Sequence, residues 1–249
     1  MRSGNYLVEQ PIADEQFEAR YQERLQAEKL ASLAEFAAGA GHEINNPLAV
    51  IAGRAQLLER GEADPERRRE LVLIRTQALR VHEMIADLML FARPPEPQLK
   101  RCDLSQLLQE IVAELQPQAN ERHTSLVYPA SDGALAIDAD PVQLKVALRA
   151  MGENALQALG RGGHLEFVLR PATDGVEILV RDDGPGIAPD VRAHLFDPFY
   201  SGRPAGRGLG LGLSKCWRIV TAHGGTIDVN SQVGRGAEFV IRLPVGVRG

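Results

Sequence analysis

A helical hairpin followed by a two-layer α/β sandwich is the fold class this sequence predicts. Three observations carry it. Apolar residues from Leu33 to Leu58 recur at spacings of mainly three, four or seven, and a second run from Leu71 to Leu88 alternates steps of three and four without a break. A Pro-rich break, Arg93-Pro94-Pro95-Glu96-Pro97, separates these runs from the rest. Beyond it, helical patterns and mostly antiparallel strand patterns follow each other in the order of an α/β sandwich.

Composition sets the outer bounds. The chain has 249 residues, 44% apolar and 24% charged, which is ordinary for one or two globular domains. A net charge of −5 gives no basic field, so nucleic acid is not an expected partner. No apolar run reaches the roughly 20 residues of a membrane span, and no signal-peptide core opens the chain, so a cytoplasmic protein is expected. Cys102 and Cys216 lack metal or redox spacing and read as buried or semi-exposed reduced thiols.

Residues 1–24 read as a loose lead-in running into the first helix, since Gly4 and Pro11 give way near Asp14 to strong helix formers. Residues 25–92 form the hairpin. Its first stripe comprises Leu33, Ala37, Ala40, Ile44, Ile51, Ala55 and Leu58, with Pro47 expected to bend the helix. Gly61-Glu62-Ala63-Asp64-Pro65 is a stop and restart, with Asp64 as N-cap and Pro65 at the first helical position. The second helix runs from about Pro65 to Phe91, its seam being Leu71, Ile74, Ala78, Val81, Ile85 and Leu88. One hairpin cannot bury both stripes, whereas two hairpins paired as a four-helix bundle can, so the pattern predicts a homodimer.

Residues 93–102 read as a stiff linker and 103–249 as the second domain. There the pattern predicts helices over about Leu104–Glu121, Pro141–Leu159 and Leu209–His223. Strands are expected near Ser125–Tyr128, Leu135–Ile137, His164–Arg170, Val176–Arg181, Thr226–Asn230 and Glu238–Leu243. The stretch from Gly184 to Arg207 has weak periodicity and is long enough to read as a functional loop.

Within the first helix, Gly41-His42-Glu43-Ile44-Asn45-Asn46-Pro47-Leu48 carries an imidazole, a carboxylate and an amide that a helix does not need. At about 100° per residue, Ala40 and Ile44 share the core stripe, His42 and Asn46 fall opposite it, and Glu43 lies beside both.

Four further clusters point toward a nucleotide. Gly152-Glu153-Asn154-Ala155 offers a hard amide oxygen suited to Mg²⁺ at Asn154, with Glu153 beside it able to polarise a nucleophile; a solvated helix pair is the plain alternative. Asp182-Asp183-Gly184-Pro185-Gly186 follows an apolar strand. A carboxylate there can accept from an exocyclic amine such as adenine's, and Gly184 and Gly186 let backbone pass close to a ring, although an Asp-Gly turn reads the same way. Phe196, Phe199 and Tyr200 sit in the long loop and could anchor a lid or form a satellite apolar cluster, with Arg203 aimed at phosphate. Gly206-Arg207-Gly208-Leu209-Gly210-Leu211-Gly212 opens a helix, where successive N–H groups make an anion site. It is neither a P-loop nor a Rossmann fingerprint. Each cluster alone is weak; their order on one chain is specific. His82, His123, His164, His194 and His223 show no partner constellation and read as surface or packing residues.

With those residues in view, the chain from about 25 to 244 resembles the sensor histidine kinases of two-component signalling. His42-Glu43-Ile44-Asn45-Asn46-Pro47 looks like the phosphoacceptor box. Glu153-Asn154-Ala155 resembles the N box, Asp182 to Gly186 the G1 box, Phe196 to Phe199 the F box and Gly206 to Gly212 the G2 box. Gly234-Arg235-Gly236 leading to Phe239 resembles the closing G3 signature. The resemblance implies a dimeric four-helix bundle followed by a GHKL-type (Bergerat) ATP-binding sandwich. It implies ATP and Mg²⁺ as cofactors, with adenine on Asp182, the ring passing Gly184, Gly186 and Phe199, and Mg²⁺ on Asn154. The triphosphate would lie on the backbone of Gly208, Leu209, Gly210 and Leu211 with help from Arg203 and Arg207.

On the same resemblance His42 attacks the γ-phosphoryl group, Glu43 orients it or takes its proton, and Glu153 assists. The phosphoryl group then passes to an Asp of a response regulator receiver domain. Glu43 and Asn46 also match the pattern that positions water for regulator dephosphorylation. Two departures stand out: Ala150 occupies the position where a second N-box Asn is common, and Ala237 the position of a common Thr. No sensory domain precedes the bundle, so a separate sensor protein is one expected partner. The alternative reading is a degenerate scaffold that binds nucleotide without catalysis. Another ATPase of the same nucleotide fold, of a chaperone or DNA-repair kind, is disfavoured by the His42 helix.

Overall fold

The computed structural model describes residues 32, 35, 39, 41, 43–92, 94–129, 135–200 and 210–246. His42, Arg203, Arg207, Gly208 and Leu209 lie outside them, as do Leu33, Ala37 and Ala40 of the first stripe. The chain divides into two compact units, Met1–Arg93 and Pro94–Gly249.

In the first unit, helix α1 (43–61) runs unbroken through Pro47. Helix α2 (Pro65–Ala92) starts where the cap chemistry places it. The Asp64 carboxylate accepts from the Glu66 N–H at 2.8 Å and its carbonyl from the Arg68 N–H at 2.9 Å. The two helices are antiparallel neighbours. Arg75 pairs with Glu59 at 3.1 Å, His82 Nδ1 meets Asn45 Oδ1 at 3.0 Å, and a Cβ on Gly41 would lie 2.7 Å from Met89 Sδ. Ala55 and Ala78 are buried between them. The larger stripe residues are not. Ile44, Ile51, Leu58, Ile74 and Val81 are exposed on the single chain, Leu58 by 61%. A hairpin therefore covers its alanines and leaves its isoleucines and leucines open, which is the geometry of half a bundle.

The second unit is an α/β sandwich. Its sheet has the order β2 (Ser125–Val127), β4 (His164–Ala172), β5 (Gly175–Asp182), β7 (Ala237–Pro244), β6 (Thr226–Ser231), all antiparallel except β2 with β4. A second, two-stranded sheet pairs β1 (Lys100–Asp103) with β3 (Ala136–Ala139). Helices α3 (Leu104–Glu121), α4 (Pro141–Leu159) and α6 (Gly212–Ala222) cover the sheet, with α4 between the other two; the short α5 (Pro189–Ala193) sits inside the expected functional loop. Strand β1 lies where the sequence reads linker.

The inward residues Phe167, Ile178, Ile241, Leu108, Ile111, Leu148 and Met151 are all buried, and each such side chain contributes about 1.5–3 kcal/mol of transfer free energy. The opposite face of the sheet covers itself. One cross-strand row is Glu166–Arg181–Glu238–Asn230 and another is Arg170–Glu177–Arg242, both joined by ion pairs. Between them lie Leu179 and Val240, only 1% and 4% exposed beneath the long charged stems. This answers how a one-layer sheet tolerates water without a second helical layer.

Cys102 and Cys216 are free and buried, as expected for reduced thiols. Gly152 fixes the seat of α4. A Cβ there would lie 2.5 Å from Leu115 Cδ1 and 3.0 Å from the Phe167 ring. Gly152→Val is therefore expected to lower the stability of this unit by about 1–3 kcal/mol through overpacking. Denaturant unfolding checks it, and an unchanged midpoint would contradict this seating of α4 on Leu115 and Phe167.

Candidate functional site

Strand alternation delivers the central carboxylate. Val176, Ile178 and Val180 point inward along β5, so Asp182, two residues on, points the same way at the strand end. Burial pushes its carboxyl above the ordinary carboxylate range. The N–H groups of Gly184 and Ala237 pull the other way, and the charge of Asp183 adds to the rise. The Gly184 N–H bond measures 3.0 Å. Asp183 does a different job: its Oδ1 accepts from the His164 N–H at 2.6 Å and pins the start of β4. Of two adjacent acids, Asp183 pins a strand and Asp182 points inward with its carboxyl pushed up by burial.

Glycines shape the loop that follows. Gly186, at φ +71°, passes so close to the Gln232 carbonyl that a Cβ would collide with it. Gly236, at φ +78°, lies against the Asp182 carbonyl. The Asp182 loop and the β6–β7 turn are thus packed backbone to backbone, and Ser231 ties them by accepting from the Ile187 N–H and donating to the Gly236 carbonyl.

Helix α4 presents Glu153 and Asn154 on its half-exposed side, opposite the Gly152 contact. Glu153 Oε1 accepts from Arg149 Nε at 2.8 Å. Ala150 lies one turn before Asn154 on the same helix, also half-buried. The C-terminal end of α4 reaches the Asp182 loop, since a Cβ on Gly184 would be 3.5 Å from Leu159. At its middle, α4 accepts at the Ala147 carbonyl from the Cys216 thiol of α6, at 3.1 Å. Helix α4 therefore touches the Asp182 loop at its C-terminal end and α6 farther back along its length.

Helix α6 begins at Gly212 with Leu211 at the cap position and no side-chain cap. Leu211 offers the first-turn N–H groups no side-chain acceptor, which leaves them to an incoming anion. Leu211 itself is buried, so any part it takes in binding is through its backbone. Gly210, at φ +68°, would carry a Cβ 2.6 Å from the Tyr200 carbonyl, so Gly210 lies directly against Tyr200. The aromatic stretch before it is knotted locally. His194 Nδ1 meets Asp197 Oδ2 at 2.6 Å, and the His194 and Tyr200 rings lie 5.3 Å apart. Phe199 adopts φ +63°, in the left-handed region, and is exposed.

Among the described residues no group of three or more His, Cys, Asp and Glu can hold a metal by itself. Asn154, half-buried on α4, carries an amide oxygen of the kind Mg²⁺ accepts beside phosphate oxygens. On the hairpin, Glu43 and Asn46 are exposed on α1. Three histidines do have partners that no sequence spacing reveals. His82 bonds Asn45 from the neighbouring helix, His123 Nε2 meets Arg161 Nη2 at 2.9 Å, and buried His223 accepts from the Asp140 N–H at 3.0 Å.

Comparison with known proteins follows the same division. Residues 32–97 match the His Kinase A (phospho-acceptor) domain, and residues 139–247 match the Histidine kinase-, DNA gyrase B-, and HSP90-like ATPase family. The chain is 36% identical over 221 residues to the sensor histidine kinase ZraS of Escherichia coli K12, covering 88% of this chain and 47% of ZraS. It is 33% identical over 225 residues to the signal transduction histidine-protein kinase AtoS of the same organism, covering 90% of this chain and 37% of AtoS. The chain thus spans about half the length, or less, of these curated relatives. The crystal structure of full-length ShkA in complex with AMPPNP matches with a TM-score of 0.75 at 29% identity, covering 86% of this chain and 46% of that one. The histidine kinase ThkA, solved in complex with the response regulator protein TrrA, shares the fold at 23% identity with a TM-score of 0.63, covering 91% of this chain and 66% of that one.

Proposed function

The chain belongs to the sensor histidine kinases of two-component signalling, and on that premise we propose that it phosphorylates His42 from Mg-ATP and passes the phosphoryl group to an Asp of a response regulator. The observation that carries the proposal is a pairing on one chain. One unit holds an inward carboxylate, Asp182, at a strand end whose loop meets α4, and a helix, α6, that starts without a side-chain cap; the other exposes Glu43 and Asn46 on the helix that follows His42.

Each residue then has a part. Asp182 accepts from the exocyclic amine of adenine. The first-turn N–H groups of α6 hold phosphate oxygens, with Arg203 and Arg207 adding charge. Mg²⁺, held through Asn154, supplies charge neutralisation on the phosphates. His42 attacks as the neutral imidazole: a ring nitrogen bonds the γ-phosphorus as the bridging P–O bond breaks, ADP leaves with that electron pair, and Glu43 takes the ring proton. Glu153 orients the reacting groups. Catalysis is then positioning and charge neutralisation more than covalent chemistry.

The open stripe of Ile44, Ile51, Leu58, Ile74 and Val81 supports a homodimer, because a second hairpin laid on it would bury five large apolar side chains per chain. The response regulator as acceptor draws on ThkA, which was solved with one. No described helix is long and apolar enough to cross a membrane. The test of the kinase reading is incubation with γ-labelled ATP and Mg²⁺. An acid-labile label is expected. Intact ATP binding without label would favour the non-catalytic scaffold, the reading that Ala150 supports.

The spacing of Glu43 and Asn46 further supports regulator dephosphorylation by the same helix. Asn46→Ala is expected to keep autophosphorylation and to lower regulator phosphatase activity by about tenfold or more, as loss of a water-positioning group does. Undiminished phosphatase activity in that variant would remove the idea.

A further inference from the structure

Residues 94–99 read as linker, yet they are bonded into the second unit. The Gln98 N–H donates to Asp140 Oδ2 at 2.9 Å, and Gln143 Nε2 donates to the Pro95 carbonyl at 2.9 Å. Asp140 is also the N-cap of α4, its Oδ1 accepting from the N–H groups of Val142 and Gln143 at 2.9 and 3.1 Å. Its own N–H donates to His223 Nε2, and His223 Nδ1 donates to the Ile219 carbonyl at 2.8 Å, which fixes the ring tautomer. Asp140, Gln143 and His223 are 7%, 5% and 2% exposed.

Helix capping does not account for this cluster. One oxygen suffices for an N-cap, and serine or asparagine supplies it. The second oxygen of Asp140 is spent on Gln98 alone. Gln143 is costlier still, because its buried Oε1 has no partner, so the side chain is kept for its bond to Pro95 at the expense of an unsatisfied acceptor. The cluster also ties the N-terminus of α4, which carries Glu153 and Asn154, to the C-terminus of α6, whose other end is the anion site.

We propose that Asp140, Gln143 and His223 latch the linker onto the nucleotide-binding unit, and so act as positioning residues for delivery of the γ-phosphoryl group to His42. The proposal rests on the kinase reading above. With the latch closed, the free connection between the units ends before Pro94, and 94–99 move as part of the nucleotide-binding unit. Opening it lengthens the joint from about two residues to about eight, and the effective concentration of bound ATP at His42 falls about eightfold by the −3/2 power of length. ATP affinity is not part of that loss.

The full chain is compared with Asp140→Asn, which keeps a cap oxygen and turns an NH₂ toward the Gln98 N–H, and with Gln143→Leu, which removes the donor to Pro95. Autophosphorylation at saturating ATP is expected to fall about eightfold in each variant with the KM for ATP unchanged within about twofold. Amide exchange is expected to show Gln98 protected in the wild type and unprotected in Asp140→Asn, with β5 and β7 protected in both. An unchanged rate in variants that expose Gln98 overturns the positioning role, as does ATP affinity that falls in step with rate. Free exchange of Gln98 in the wild type overturns the latch itself. A wild type that takes no label at all defeats the kinase reading and with it the positioning role, whereas the exchange result decides the latch independently.

Discussion

Asp182→Asn is expected to weaken ATP binding about 10- to 100-fold without lowering the thermal stability of the nucleotide-binding unit, since a buried charge-assisted hydrogen bond contributes about 1.5–3 kcal/mol. The two halves of the result come from one cause. Asp182 is pushed above the ordinary carboxylate range chiefly by burial, so its ionised form is less favourable in the folded protein than in the unfolded chain. A carboxyl with a raised folded pKa binds more protons folded than unfolded. Its favourable contribution is fully present below the unfolded value, about 3.9, and is lost as pH rises through the folded value. At neutral pH the ionised group is therefore a cost that asparagine removes, while the strongest acceptor for an exocyclic amine goes with it. Melting temperature against pH for both proteins checks the first half, and nucleotide titration the second. A large fall in stability at pH 7 with ATP affinity retained would mean Asp182 is a structural acid like its neighbour Asp183.

Gly236→Ala is expected to cost about 3 kcal/mol or more, a fall in Tm on the order of 10 °C, and to abolish nucleotide binding with it. The added Cβ would collide with the Asp182 carbonyl and approach the Asp183 Cα at 2.9 Å, in a residue already at φ +78°. The first obstacle is backbone of β5 and the second is the residue just after it, and β5 is held in register with β7 through the pair Asp182 and Ala237. Relief requires parting the strands at the residue that would accept adenine. Gly234 is the control. It has φ +78° as well, but open space around it, so Gly234→Ala should cost only the left-handed strain of about 1–2 kcal/mol and leave ATP affinity intact. Equal losses at the two positions would show that backbone conformation, not close approach to Asp182, sets the penalty.

The parts of this fold that were legible in the sequence are those whose signals are local. Helix α4 spans Pro141–Leu159 as expected because Asp140 supplies the cap, Pro141 the first helical position and the apolar stripe its length. Helix α3 spans Leu104–Glu121 on its own apolar stripe, with Asp103 capping it through the Ser105 and Gln106 N–H groups. Strand β1 was illegible. Lys-Arg-Cys-Asp has no strand alternation beyond the single buried Cys102, and its partner β3 lies more than thirty residues away in sequence. Helix α5 is five residues long, too short to show a period. Helix α6 starts at Gly212, later than expected, because Gly210 is held at positive φ against Tyr200.

In the candidate site, strand alternation and the glycines singled out Asp182, Gly184 and Gly186, but nothing local could divide the work of Asp182 from that of Asp183. The histidines show the same limit. His82 and His223 read as isolated because Asn45 and Asp140 are 37 and 83 residues from them, and only the folded chain brings each pair together. The outer charged rows of the sheet were likewise a matter of register, not of spacing along any one strand.

The central claim is that His42 is the residue this chain phosphorylates, and peptide mapping of the γ-labelled protein tests it directly. Wild type and His42→Ala are incubated with labelled Mg-ATP, digested at neutral or alkaline pH to preserve phosphohistidine, and the label is located. All label is expected in the peptide carrying His42, with none in the His42→Ala protein although its ATP affinity is unchanged. His82, bonded to Asn45 on the adjoining helix, is the internal rival. Label at His82, or label that survives His42→Ala, would contradict the account.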